Sequence, residues 1–229
     1  SPLPMVAFYG SFSMSYVPRA GEQLASLSLD TATLEPETFT NYEAGAKWDV
    51  LPSLSMTAAL YRLDRGNIAV ADPVNTGQLM LVDGQRTEGV EIGMSGRIAR
   101  RWSAIGQYTY MDARITESLS SSTTAGARLA HVPEHSISLW NRFDFSDRLG
   151  IGAGAIHQTE SFASTDNSVV LPGFTRLDAA VFFDVTDRVQ AQLNVENLTG
   201  IDYYAYAHNN NNITPGSPRS VRLSWSTRF

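Results

Sequence analysis

The chain has no cysteine, no long apolar run and little surplus charge of either sign. Without cysteine there is no disulfide framework and no thiolate site, so any bound metal would rest on histidines and carboxylates alone. No stretch reaches the roughly 18 to 20 consecutive apolar residues of a membrane-spanning helix. Lys and Arg number 17 against 23 Asp and Glu, a net charge of −6, which argues against a nucleic-acid partner. A mean hydropathy of −0.16 reads as soluble. It fits a transmembrane β-barrel equally well, because half of each barrel strand faces a polar interior. Composition is therefore neutral on the membrane question, and the pattern along the chain has to decide.

That pattern alternates. The last nine residues run Val221-Arg222-Leu223-Ser224-Trp225-Ser226-Thr227-Arg228-Phe229. A strand has a side-chain period of two, so Val221, Leu223, Trp225 and Phe229 share one face, and Arg222, Ser224, Ser226 and Arg228 the other. Terminal residues of soluble domains usually fray. An aromatic in register with an apolar face instead suits a strand with lipid on one side and a polar lumen on the other. Comparable alternation marks about ten segments, near 5–17, 37–50, 53–65, 78–98 (with a kink near Gly84), 102–114, 134–145, 148–158, 173–185, 188–198 and 218–229.

The connections add a second rhythm. Leu51-Pro52, Ala99-Arg100-Arg101, Ser146-Asp147-Arg148 and Thr186-Asp187 are tight. Between them lie long stretches at roughly 18–36, 66–77, 115–133, 159–172 and 199–217. Outer-membrane barrels have this order, with short periplasmic turns and long external loops. Ser/Thr-rich 120–124 and the run Asn209 to Asn212 suit solvent-facing tips. Trp48, Trp102 and Trp225 fall near the short-turn end, where an aromatic girdle belongs. The expected fold is all-β, a transmembrane antiparallel barrel of the outer-membrane type. A soluble sandwich would explain the alternation but not the loop rhythm.

Several segments resemble TonB-dependent siderophore receptors. Leu34 to Trp48 is similar to a strand of the form L-x-P-E-x-x-x-x-Y-E-x-G-x-K, and Asp83 to Glu91 is similar to a G-x-x-R-x-x-G-V-E segment. Val132-Pro133-Glu134-His135 resembles a V-P-x-H strand entry, and Leu193 to Tyr203 resembles L-N-V-x-N-L-x-x-x-x-Y. Their order and spacing cover residues 34 to 229, and the last loop is most similar to the catecholate-siderophore branch. The resemblance implies a Gram-negative outer-membrane location and uptake of a ferric siderophore as transported ligand. It also implies a plugged barrel, coupling to TonB through an N-terminal part, and Phe229 as the signal read by the barrel insertion machinery. No cofactor or enzymatic activity is implied.

Such receptors have a plug and roughly 22 strands, which at about 23 residues per strand need about 500 residues. Ten strands in 229 residues therefore read as the C-terminal part of the barrel, with plug and early strands outside this chain. The alternative is a small self-closed ten-stranded barrel, acting as a rim protease or a passive pore. A protease would need acid and histidine together at the external rim, where Glu160 and Asp166 are the available acids. A ferric catecholate is a bulky anion with aromatic rings, and it calls for cations, stacking aromatics and amide or imidazole donors. The long loops offer Arg128 and His131, then His157 with Gln158 and Phe162, then Tyr206, His208, Asn210 and Asn212. Two features are expected to be structural. Gly150, Gly152 and Gly154 read as a strand with a glycine lumen face that leaves room for a plug. Asn197-Leu198-Thr199 has the form of a glycosylation sequon but stands in a strand-end motif.

Overall fold

The computed structural model describes residues 5–18, 34–72, 75 and 77–227. Phe229 lies outside them. Sixteen strands follow in chain order: β1 (Val6–Val17), β2 (Glu37–Leu51), β3 (Leu54–Gly66), β4 (Ile68–Ala71), β5 (Leu79–Val82), β6 (Gln85–Ala99), β7 (Trp102–Ile115), β8 (His135–Asp144), β9 (Leu149–Gln158), β10 (Ser161–Phe162), β11 (Val170–Leu171), β12 (Phe174–Thr186), β13 (Val189–Glu196), β14 (Tyr204–Asn209), β15 (Asn212–Pro215) and β16 (Ser220–Thr227). Ten of them form one antiparallel sheet in the order β1-β2-β3-β6-β7-β8-β9-β12-β13-β16. Each long strand pairs with the next, as hairpin connections require. The ten expected segments correspond to these ten strands, one of them shortened at its start.

Strands β1 and β16 are the two edges and do not pair with each other. A self-closed ten-stranded barrel is therefore not what forms, and with it goes the closed ring on which the protease and pore alternatives depended.

One correction concerns a connection. The expected 78–98 strand is broken: β5 leaves the main sheet and pairs with β4, from Ile68↔Val82 to Ala71↔Leu79. The break follows from local geometry. Asn67 takes φ 55°, and Gly84 packs so closely on Ile68 and Leu119 that any Cβ there would overlap them. The chain thus turns out of the sheet after β3 and re-enters at β6. The long connections at 159–172 and 199–217 carry the hairpins β10-β11 and β14-β15.

The register separates two faces. Directly opposed residues in an antiparallel pair share a face. One face therefore carries Phe8, Phe12, Tyr42, Trp48, Leu60, Ile92, Trp102, Leu139, Phe143, Ile151, Val181, Phe183, Leu193, Leu223 and Trp225, all exposed. The opposite face carries residues such as Glu43, Thr57, Glu91, Gln107, Ser138, Asp178, Asn194 and Arg222. A soluble sandwich would bury the first set. Here Trp225 is 63% exposed and Leu60 61%, while the buried apolar residues are mostly small ones such as Ala104, Ala113 and Ala180. An apolar sheet face turned outward is stable in lipid, not in water.

Aromatics edge the apolar face at both ends. Trp48, Trp102, Phe143, Phe183 and Trp225 lie toward the short turns, and Phe12, Tyr42, Tyr108 and Tyr110 toward the long loops. Trp102 and Tyr110 are eight residues apart on β7. At about 3.4 Å per residue and a tilt of roughly 40°, that spans about 21 Å, close to the ~25 Å apolar band of an outer-membrane barrel.

The polar face explains the fourth tryptophan. Trp140 opposes Gly154 across β8-β9, and its ring lies against both Gly152 and Gly154, where a Cβ would overlap it. The glycine row is on the polar face as expected, but the space it leaves is filled by Trp140 rather than left open. Beside it the Arg142 guanidinium sits 4.2 Å from the centre of the Phe182 ring and pairs with Asp144 at 2.9 Å. The short turns are closed by hydroxyls: Ser146 Oγ accepts from the Arg148 and Leu149 N–H groups, and Thr186 Oγ1 from those of Arg188 and Val189.

Candidate functional site: the layer of long connections

The long connections at the β7-β8, β9-β12 and β13-β16 junctions pack on one another rather than standing apart. Ala130 forms a parallel bridge with Phe162, and the His131 N–H donates to the Phe162 carbonyl at 2.9 Å. Asn167 reaches back to the first loop, accepting from the Arg128 N–H and donating to the Arg128 carbonyl, both at 2.8 Å. Asn210 Nδ2 in the third loop donates to Asp166 Oδ2 at 2.8 Å and Ser168 Oγ at 3.0 Å in the second. Ala163, Leu171 and Ala207 form a small buried cluster under these bonds, with Val169 and Ile213 against it. Three loops are thereby braced into one layer with its own core.

The layer is anchored to the sheet at two points. Asn197, fully buried at φ 53°, accepts from the Ile201 N–H and donates to the Ile201 and Ser217 carbonyls, while its own N–H donates to Asp178. The side chain closes the strand end, and its burial keeps it from acting as a sequon. Arg176 is the second anchor. It donates to the Tyr203 hydroxyl at 3.1 Å and pairs with Asp178 at 2.9 Å and Glu196 at 2.8 Å. Tyr203 in turn packs on Phe174, with ring centres 4.3 Å apart.

The expected ligand residues fall into two groups. Arg128 is mostly enclosed: its side chain is 20% exposed, lies 3.8 Å from Glu134, and stands 5.8 Å from the Phe162 ring centre. Asn210 is spent on the Asp166–Ser168 clasp. His131, at φ 60°, packs against Tyr206 with ring centres 4.9 Å apart and the planes tilted by 41°. A non-glycine residue held in that region carries backbone strain, which the surrounding structure must enforce. Tyr206, His208 and Asn212 are exposed on the β14-β15 hairpin. His157 corrects the expectation. With Gln158 it ends β9, within the expected 148–158 segment, but it lies on the apolar outward face opposite Thr175, and its Nδ1 is 2.8 Å from Thr175 Oγ1. Phe162 lies in β10, inside the brace.

Asp166 accepts from the Ser168 N–H, and that bond, helped by the Ser168 hydroxyl and Asn210, holds its carboxyl below the ordinary range. A depressed carboxylate contributes stability above its unfolded pKa and loses it only as pH falls through the lower folded value. The clasp therefore persists through mild acid. Asp166 bonds to neither His131 nor His157. His131 and His135 are likewise apart in use, the first on Tyr206 and the second bonded to the Tyr108 hydroxyl at 3.0 Å on the outward face.

The description "TonB dependent receptor-like, beta-barrel" matches residues 1–198. The chain belongs to that family. Its location is accordingly the outer membrane of a Gram-negative bacterium. It is 32% identical to the metal-pseudopaline receptor CntO of Pseudomonas aeruginosa over 99% of its length and 32% of that receptor's. With the catecholate siderophore receptor Fiu of Escherichia coli it shares 30% identity over 96% of its length and 30% of Fiu's. The crystal structure of the siderophore receptor PiuA from Acinetobacter baumannii superposes with a TM-score of 0.85 at 26% identity, covering 97% of this chain and 34% of PiuA. The closed form of Fiu also gives 0.85, at 29% identity, over 98% of this chain and 33% of Fiu. The chain thus spans about a third of the length of the curated relatives it matches. Its ten-stranded sheet is a section of the larger barrel wall in those structures. The residues missed in the sequence are the braces Asn167 and Arg176.

Proposed function

We propose that residues 1–229 form the C-terminal portion of the barrel of a TonB-dependent receptor that takes up a ferric siderophore, of catecholate type. The plug, the early strands and the segment that engages TonB lie outside this chain in this reading, and the barrel wall contributes the external recognition layer. The observation that carries the proposal is the braced layer at the long-loop end. It presents Tyr206, His208 and Asn212 outward on one hairpin and backs Tyr206 with His131. An aromatic, an imidazole and an amide suit the rings and oxygens of a ferric catecholate. The relatives named above include a receptor for a metal-pseudopaline complex and one for catecholates, and the aromatic and imidazole groups favour the second class. Phe229 is proposed as the assembly signal.

The layer also divides the mutations expected to matter. Arg128 and Asn210 brace it, so their loss would disturb loop structure as well as any contact. Tyr206 and His208 are exposed and brace little. In the native receptor, Tyr206→Ala and His208→Ala should each weaken binding of a ferric catecholate about tenfold, the scale of one lost ligand hydrogen bond or stack. Receptor abundance in the outer membrane should stay unchanged. Binding by titration of purified receptor, with abundance read by immunoblot, checks this. Wild-type affinity in both variants would remove the hairpin from the ligand site.

A further inference from the structure

The lumen wall carries a second place with cation and aromatic chemistry, at the opposite end from the loop layer. A polar cavity of about 180 Å³ lies where β8, β9 and β12 reach the short turns. Register sets its direction. Asp144, Gly150 and Phe182 oppose one another across the three strands and share the lumen face with Arg142 and Asp184. Gly150 keeps the floor low, since a Cβ there would overlap the Asp144 carboxylate.

Arg142 is fixed from behind and open in front. Its guanidinium lies 4.2 Å from the Phe182 ring centre and its Nε donates to Asp144 at 2.9 Å. Its Nη groups make no hydrogen bond among the described residues, and the side chain is 35% exposed. Arg100 and Arg148, exposed on two neighbouring turns, also line the cavity. Their side chains make no hydrogen bond or ion pair among the described residues. Arg101, the fourth lining arginine, is taken by the Phe145 carbonyl at 2.7 Å and lies 3.7 Å from Asp147. Asp184 accepts from Gln190 at 2.8 Å. Four arginines thus meet three aspartates around the cavity, one positive charge in excess, and the next turn adds Asp187 and Arg188, which cancel.

We propose that this cavity is an exit subsite, where one catecholate arm of the transported ferric chelate rests before release into the periplasm. The ring stacks on the open face of Arg142, with Phe182 behind it, and the oxygens take the Nη groups of Arg142 and Arg148. At about 180 Å³ the cavity is smaller than the roughly 300 Å³ that encloses a whole drug-sized ligand, so it takes one arm and not the complex. The subsite rests on the ferric-catecholate reading and on short turns that face the periplasm. It fills only during passage, so affinity is set at the loop layer and the arginines act on the rate.

The test separates the two ends in cells carrying the native receptor. A radiolabelled ferric tris-catecholate is measured for equilibrium binding in de-energised cells and for saturating uptake in energised ones, normalised to receptor by immunoblot. Arg142→Gln/Arg148→Gln should leave the Kd within about twofold of wild type and cut uptake about tenfold, the scale of one lost charge-assisted contact. Arg148→Gln alone removes no internal bond of its side chain and should cut uptake about threefold. Arg142→Lys keeps the charge without the planar stack and should fall between wild type and the double variant. Arg188→Gln, on the next turn, should match wild type. Wild-type uptake in Arg142→Gln/Arg148→Gln overturns the subsite. A Kd raised about tenfold in that variant would assign the arginines to the outer site and overturn it too. Failure of the wild type to bind the ferric tris-catecholate at all would overturn instead the reading on which the subsite rests.

Discussion

Asn197→Ala should destabilise the barrel's last hairpin by roughly 3 kcal/mol, more than any loop-tip substitution. The side chain makes three hydrogen bonds, to the Ile201 N–H, the Ile201 carbonyl and the Ser217 carbonyl, and is fully buried. Leaving their buried partners unsatisfied costs about 1 to 3 kcal/mol. Alanine at φ 53° adds strain of about 1 kcal/mol that asparagine tolerates better. Asn197→Asp separates the contributions: it keeps the acceptor for Ile201 N–H and loses both donors. The folded fraction of purified receptor against urea should fall for Ala and Asp alike, with Ala lower. An Ala variant with the wild-type midpoint would mean that the turn is held elsewhere.

The second large effect concerns the polar face. Gly152→Val should cost about 2 kcal/mol, the scale of overpacking, because its side chain would occupy the space of the Trp140 ring. Trp140→Ala alone should also destabilise, by about 2 kcal/mol for a partly buried indole. The two should not add. In the double variant the valine enters the space the indole has left, so the combined loss should fall below the sum by 1 kcal/mol or more. Unfolding midpoints for the four proteins complete the cycle. Strict additivity would show that Trp140 and Gly152 do not share that space.

These two sites mark what the sequence made legible and what it concealed. The ten-strand sheet was readable because lipid on one side and a polar lumen on the other impose period two at every position, as in Leu177, Ala179, Val181 and Phe183 against Arg176, Asp178 and Asp184. The long and short connections fixed the hairpin order for the same reason. The loop layer was not readable. Its core uses small, isolated residues, Ala163, Leu171 and Ala207, which have no periodic neighbours to announce them. Its braces join distant positions, Asn167 to Arg128 and Asn210 to Asp166, and single asparagines in loops read as hydration. His157 was offered as a ligand donor because it ends its strand beside a long loop, but its register puts it on the outward face. Trp140 differed from the other tryptophans only in parity, and parity along one strand does not reveal which neighbour will fill a glycine row.

The central claim is that recognition occurs at the long-loop end, outside the cell. The chain has no cysteine, so a single introduced thiol reports its own position. Asn212→Cys on the exposed hairpin and Asp147→Cys in a short turn, in receptor otherwise free of cysteine, should be compared in intact cells with a membrane-impermeant maleimide. Cys at 212 should label in intact cells and be protected by a saturating ferric catecholate but not by the metal-free chelator. Cys at 147 should label only after the outer membrane is opened, with no effect of ligand. Labelling of 147 but not 212 in intact cells, or labelling of 212 unaffected by the ferric complex, would contradict the account.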